Sequence, residues 1–136
     1  MEENTPTITG LVPFLPVRDV ERSAAFYQLL GFEVGNRVPR EGKMGWAWLY
    51  IPQAADWRRG ANLMLSCSDR EGELANRGTL YYHYATNLVL LREKLIAAGH
   101  QPGAITYPDY LPKGECRILD PDGHTLMLAQ SDADTP

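Results

Sequence analysis

Apolar residues recur along this chain at two spacings, and each spacing appears twice in the same order. Val20, Ala24, Tyr27 and Leu30 follow one another at helical intervals, which predicts one buried stripe on a helix. Leu88, Leu91, Leu95 and Ala98 repeat the pattern. Asp19 stands before the first stripe and Asn87 before the second. Either side chain can accept an orphan backbone N–H at a helix start, worth roughly 1 kcal/mol. Gly31 follows Asp19 by twelve residues and Gly99 follows Asn87 by twelve, each where a left-handed residue would stop the helix.

The remaining apolar runs are short and alternate with polar residues, as half-buried strands do. Strands are expected at 11–17, 32–38, 45–51 and 61–66, then at 79–85, 103–107, 114–119 and 124–129. Pro13 and Pro16 cannot donate to a ladder, so the first strand is expected at a sheet edge. The tripeptide Leu63-Met64-Leu65 returns as Leu126-Met127-Leu128, and Asp120-Pro121-Asp122-Gly123 is a strong tight-turn signal. Each half therefore reads strand, helix, strand, strand, strand. Module one is expected over about 10–66, a polar linker over 67–78 and module two over about 79–130, after a loose arm at 1–9, all within one domain spanning 1–136.

Composition narrows the class without changing the architecture. At 136 residues, 44% hydrophobic and 22% charged, the chain has the profile of a soluble globular domain. No apolar run approaches the roughly 20 residues that span a bilayer. The start Met1-Glu2-Glu3-Asn4-Thr5-Pro6 does not read as a signal peptide, so a cytoplasmic location is expected. A net charge of −4 argues against a nucleic-acid partner. Cys67 and Cys116 make no metal-binding spacing and are expected to be reduced, semi-buried strand residues.

Two stretches carry a family resemblance. Pro16-Val17-Arg18-Asp19-Val20-Glu21-Arg22-Ser23, followed by Phe26-Tyr27 and Leu30-Gly31-Phe32, resembles the opening of the glyoxalase/bleomycin-resistance/extradiol-dioxygenase superfamily, also called vicinal oxygen chelate proteins. The Asp120-Pro121-Asp122-Gly123 hairpin with Leu126 and Leu128 resembles its closing motif. The resemblance implies an α+β fold in which two tandem βαβββ modules form a curved mixed-sheet cup with the helices on its convex side. It also implies a homodimer, because open-edged cups of this kind complete their walls with a partner.

Enzymes of the superfamily hold a divalent metal in the cup through His, Glu or Gln on four strands. Carried over by spacing, those positions fall on Val12, Leu80, Met64 and Met127. Aliphatic side chains offer no lone pair, and a thioether is a poor ligand for zinc, iron, manganese or magnesium. No metal and no cofactor is therefore expected. His83 should point away from the Leu80 position, His100 follows a helix C-terminus, and His124 belongs to the last hairpin, so the three histidines make no set.

What remains is aromatic. Trp46, Trp48 and Tyr50 alternate and share a strand face, which lines either a pocket or the core under the helices. Tyr82 and Tyr84 share a face with Leu80. The proline-flanked loop Tyr107-Pro108-Asp109-Tyr110-Leu111-Pro112 can hold Tyr110 as a fixed lip. Glu115 and Arg117 share a face and can orient a polar ligand or pair with each other. The expected site thus comprises Trp46, Trp48, Tyr50, Met64, Tyr82, Tyr84, Tyr110, Glu115, Arg117 and Met127, with no catalytic residue assigned. Two functions compete. One is a metal-independent protein resembling bleomycin-resistance proteins, binding an aromatic or extended small molecule; the other is a metal-dependent lyase, dioxygenase or thiol transferase of the same superfamily.

Overall fold

The computed structural model describes residues 5–56, 59–69 and 78–132. Most of the expected linker, at 70–77, lies outside them, as do Trp57 and the first four residues of the expected arm. Among the described residues the chain forms β1 (Phe14–Val17), α1 (Val20–Leu29), β2 (Glu33–Val38), β3 (Trp46–Tyr50), β4 (Asn62–Cys67), β5 (Leu80–Ala85), α2 (Leu88–Ala97), β6 (Glu115–Leu119) and β7 (Thr125–Gln130).

The helix ends obey the sequence. The Asp19 carboxylate accepts from the backbone N–H of Arg22 at 3.2 Å, and the Asn87 side chain accepts from Leu90 at 3.1 Å. Gly31 and Gly99 follow the two C-caps with φ of 102° and 93°, a region that costs glycine little and other residues more.

Two mixed sheets result. The first has strand order β1-β4-β3-β2 and the second β5-β7-β6. β1 runs parallel to β4, and β5 runs parallel to β7. Met64 lies opposite Phe14 in the first sheet and Met127 opposite Tyr82 in the second, so the repeated tripeptide occupies the same place in each module. β1 is an edge strand, as its prolines require.

The halves differ at one edge. The strand expected at 103–107 is reduced to a single bridge between Thr106 and Glu115, reinforced by a 2.8 Å bond from the Gly103 N–H to the Arg117 carbonyl. Pro102 and Pro108 bracket this segment and leave little length for a ladder. Cys67 also differs from expectation: it ends β4 exposed, while Cys116 is buried, and both are free thiols.

One core serves both modules. Leu15, Val17, Leu49, Leu63 and Leu65 of the first sheet join Ile118, Leu126 and Leu128 of the second, with Val20, Tyr27, Leu88 and Leu95 of the helices. α1 lies against β2, β3 and β4, and α2 against β7. Ring contacts cross between modules, with Tyr27 stacked 6.4 Å from His83 and Phe26 edge-on 5.0 Å from His100. Burying the helix-facing side of each sheet leaves the opposite sides as the more exposed faces.

Candidate ligand-binding site

On the first sheet the outer face is set by pairing register. Trp48 lies opposite Met64, Trp46 opposite Ser66 and Tyr50 opposite Asn62. Their neighbours Ala47 and Leu49 point the other way and are fully buried. Trp46, Trp48 and Tyr50 therefore belong to the outer face, half-exposed, and the alternative that they pack under the helices is set aside. The Trp48 and Tyr50 rings stack in parallel, 5.0 Å between centroids and 10° between planes. The Trp48 indole N–H donates to Asn62 Oδ1 at 3.2 Å.

Gly35 explains why Trp48 lies flat. A Cβ at that position would stand 2.6 Å from the indole ring, so the ring rests on the bare β2 backbone. The pairing of β2 with β3 is irregular between Val34 and Arg37, beside this glycine. Gly35 and Asn62 were not marked by sequence reasoning. An isolated Gly inside a strand run was the available signal for the first.

The second sheet presents a different surface. Tyr82 lies opposite Met127, which lies opposite Arg117; Tyr84 lies opposite Ala129, which lies opposite Glu115. Tyr82 and Tyr84 stack at 6.2 Å. Glu115 is 6% exposed, and its carboxylate accepts from the Tyr82 hydroxyl at 3.2 Å and from the Tyr110 hydroxyl at 2.8 Å. The Tyr110 hydrogen bond to Glu115 pushes its phenol up to about 12, burial adding to the effect. The Tyr82 phenol is raised by burial, opposed by its hydrogen bond with Tyr110 and aided by the one to Glu115. Arg117 is exposed, and among the described residues it forms no ion pair with Glu115. Tyr110, expected as a lip, is a loop tyrosine tied to Glu115 and is not among the residues that line the cleft between the modules, and Tyr107 is 64% exposed.

The structure gathers the expected residues into two groups rather than one. Trp46, Trp48, Tyr50 and Met64 lie on the first sheet, and Tyr82, Tyr84, Tyr110, Glu115, Arg117 and Met127 on or beside the second. Among the described residues no hydrogen bond or ring contact joins the two groups. Tyr82 and Tyr84 also border a cleft of about 970 Å³ between the modules, walled by Leu11, Pro13 and Leu30 on one side and by Leu90 and Leu91 on the other.

The histidines sit elsewhere. His83 faces the core, where burial lowers its pKa and its Nδ1 lies 3.0 Å from the Tyr81 carbonyl. His124 is fully buried with Nε2 2.8 Å from the Pro16 carbonyl. His100 packs on Phe26.

This geometry, a four-stranded β1-β4-β3-β2 sheet and a three-stranded β5-β7-β6 sheet, each with one helix and joined through one core, has structural counterparts. The chain superposes on a bleomycin-binding protein complexed with bleomycin with a TM-score of 0.64 and 23% identity, covering 90% of this chain and 98% of that one. A glyoxylase/bleomycin resistance protein/dioxygenase domain from Frankia sp. EAN1pec matches with a TM-score of 0.68 and 17% identity over 95% of this chain and all of that one. The bleomycin-binding protein of Streptomyces verticillus, complexed with copper(II)-bleomycin, gives 0.64 and 17% over 94% and 100%. The chain shares the fold of these solved structures. Residues 11–45 match the family model described as bleomycin resistance protein-like N-terminal. No curated protein matches the chain by sequence.

Vicinal oxygen chelate enzymes imply a metal, and the donor set tests that implication. Of the four carried-over positions, Leu80 and Met127 fall on the outer face of the second sheet and Met64 on that of the first. None supplies the imidazole or carboxylate that a divalent ion of this class requires. Among the described residues no group of three or more His, Cys, Asp or Glu is arranged to hold an ion. The residues at these positions do not fit the superfamily's metal. No described helix is long and apolar enough to cross a membrane.

Proposed function

We propose that this chain is a metal-independent binding protein that grips a flat or extended small molecule against its outer sheet faces. The observation that carries the reading is the outward placement of stacked aromatic pairs, Trp48 with Tyr50 and Tyr82 with Tyr84, opposite a core that is complete without them. Each such ring offers on the order of 150–250 Å² of apolar contact and holds a planar ligand by stacking. The apolar residues at the carried-over metal positions support recognition without coordination. Two of the structural counterparts are complexes with bleomycin or copper(II)-bleomycin, which supports a small organic partner.

The working unit under this reading is a homodimer. Phe14 is 58% exposed and Val38 60% on the first outer face, and Leu80 is 45% and Leu119 56% on the second. Two copies that bring one aromatic face against the other would cover these side chains and enclose a ligand between tryptophans and tyrosines. Such burial is favourable at about 25 cal/mol per Å² of apolar surface.

Calorimetric titration with metal-free bleomycin and with copper(II)-bleomycin tests the reading, alongside elemental analysis of protein purified without chelator. Saturable binding that weakens about tenfold in Trp48→Ala is expected, the scale of one lost stacking contact. Stoichiometric metal in the purified protein would turn the assignment toward the enzymes. Absence of saturable binding by bleomycin, and by a panel of flat aromatic compounds, would remove it altogether.

A further inference from the structure

The second sheet holds a feature that stacking alone does not use: a buried carboxylate roofed by two phenols. Glu115 is 6% exposed, whereas Tyr82 is 39% and Tyr110 63% exposed, so the acid lies beneath the rings that bond to it. Its place follows from the register. Glu115 sits opposite Ala129, whose methyl group leaves room for the carboxylate to reach diagonally to Tyr82, the partner of Met127. Tyr110 closes the other side from the proline-flanked loop.

A phenol has one proton; both hydroxyls lie within hydrogen-bond distance of Glu115 as donors, and the two phenols also interact with each other. At these two hydroxyls the surface left for a ligand therefore offers oxygen lone pairs and ring faces, the donors of the same strand face being those of Arg117. Behind it lies a formal negative charge in a poorly solvated place, where its field is screened less than at an exposed site. Lone pairs, π faces and a negative charge together select a group with donors, positive charge and no acceptor. A primary ammonium has that inventory. An alcohol has the donor without the charge, and a carboxylate is repelled.

We propose that Tyr82, Tyr110 and Glu115 form a subsite for a primary ammonium group, so that the ligand of this protein is an aromatic or extended organic amine. The inference rests on the reading of the outer faces as binding faces and names the chemistry at one end of the ligand. Arg117 is the opposing charge on the same strand face; it is exposed, and its guanidinium is free to turn to solvent. Lys113 is engaged with Asp132 at 3.3 Å.

The test uses three probes of similar size: 2-phenylethylamine, 2-phenylethanol and 3-phenylpropionate. Each is titrated into full-length protein carrying ¹³C-labelled tyrosine rings, and the ring shifts of Tyr82 and Tyr110 are followed by NMR. The amine is expected to bind about tenfold tighter than the alcohol, and the propionate weakest. In Glu115→Gln the ratio of amine to alcohol affinity should fall to about one. In Arg117→Gln, an exposed change that folding tolerates, the ratio should rise by about twofold. Should Glu115→Gln fail to fold, the Arg117→Gln ratio decides the matter. Equal affinities of amine and alcohol in the unmodified protein overturn the ammonium subsite and leave the binding face intact. Failure of all three probes to bind overturns the subsite together with the face.

Discussion

The Tyr27 hydroxyl donates to the Asp120 carboxylate at 2.8 Å, tying the helix of the first module to the last turn of the second. Both partners are buried, Tyr27 completely and Asp120 to within 4%. The other oxygen of Asp120 accepts from the backbone N–H groups of Asp122 and His124, each at 2.9 Å, and so shapes the turn. Asp122 repeats the device from two residues on, accepting from the Arg18 N–H at 3.0 Å, the Ser23 hydroxyl at 3.2 Å and the Arg22 guanidinium at 3.2 Å. One acidic turn thus clasps the start of α1, and the two modules meet through it.

Tyr27→Phe removes the phenol and leaves a buried carboxylate oxygen short of its donor. The expected loss is about 1.5–3 kcal/mol, the range for hydrogen bonds to charged groups. Urea denaturation of the two proteins measures it, with the midpoint falling and the slope unchanged. A loss within about 0.5 kcal/mol, the usual range of an uneventful surface change, would mean that the clasp does not hold the modules together.

The Tyr110 phenol provides a pH signature of the Glu115 cluster. With its pKa at about 12, raised first by the Glu115 bond and then by burial, it stays protonated where a free tyrosine has half ionised at pH 10. A group whose folded pKa is raised contributes stability below the unfolded value and loses it as pH rises through the folded value. This contribution is therefore complete below pH 10 and gone above about 12. Ring ¹³C titration should show Tyr110 moving toward pH 10 in Glu115→Gln. A Tyr110 that titrates alike in both proteins would count against the hydrogen-bonded cluster.

Gly35→Ala places a methyl group 2.6 Å from the Trp48 ring, and the ring must leave its stack on Tyr50. The substituted position is at a sheet surface, so the fold should survive. Losing one offset-stacked pair corresponds to about 0.5–1.5 kcal/mol. Bleomycin affinity is expected to fall by roughly threefold to tenfold, with the indole emission shifting to the red as Trp48 gains solvent. Unchanged affinity with a displaced ring would show that Trp48 does not touch ligand. To isolate Trp48 emission, the comparison uses a Trp46→Phe, Trp57→Phe background.

Much of this architecture could be read before any coordinates, because it depends on local chemistry. Asp19, Asn87, Gly31 and Gly99 bracket the helices through contacts made within a few residues, and alternation fixed the shared face of Trp46, Trp48 and Tyr50. Which face that was depended on Ala47 and Leu49 finding the helix, a long-range outcome that periodicity leaves open. The Asp120 turn showed its shape in the sequence and hid its partners, since Tyr27 and Ser23 lie about a hundred residues away. Glu115 and Arg117 alternated as expected, yet burial and two phenols, one from another strand and one from a loop, separated their fates. The missing strand at 103–107 had the right spacing and the wrong flanks, with Pro102 and Pro108 too close together for a ladder.

His83 supplies the last prediction, at the acid end. Its ring is mostly buried between Tyr27, stacked at 6.4 Å, and Phe32, edge-on at 6.1 Å. Burial lowers its pKa, against the opposing effects of the Tyr81 carbonyl and the Asp120 charge. A depressed folded value means that the unfolded chain takes up the proton first. The associated stability is present above about pH 6.5, the usual histidine value, and is lost as pH falls from there toward the depressed folded value. His83→Phe keeps an aromatic ring in the stack and removes the titration, at the cost of the Tyr81 contact. Urea midpoints at pH 7.5 and pH 5 should therefore drop further in the unmodified protein than in His83→Phe. Equal drops in the two proteins would place the acid sensitivity on other groups and leave His83 as packing alone.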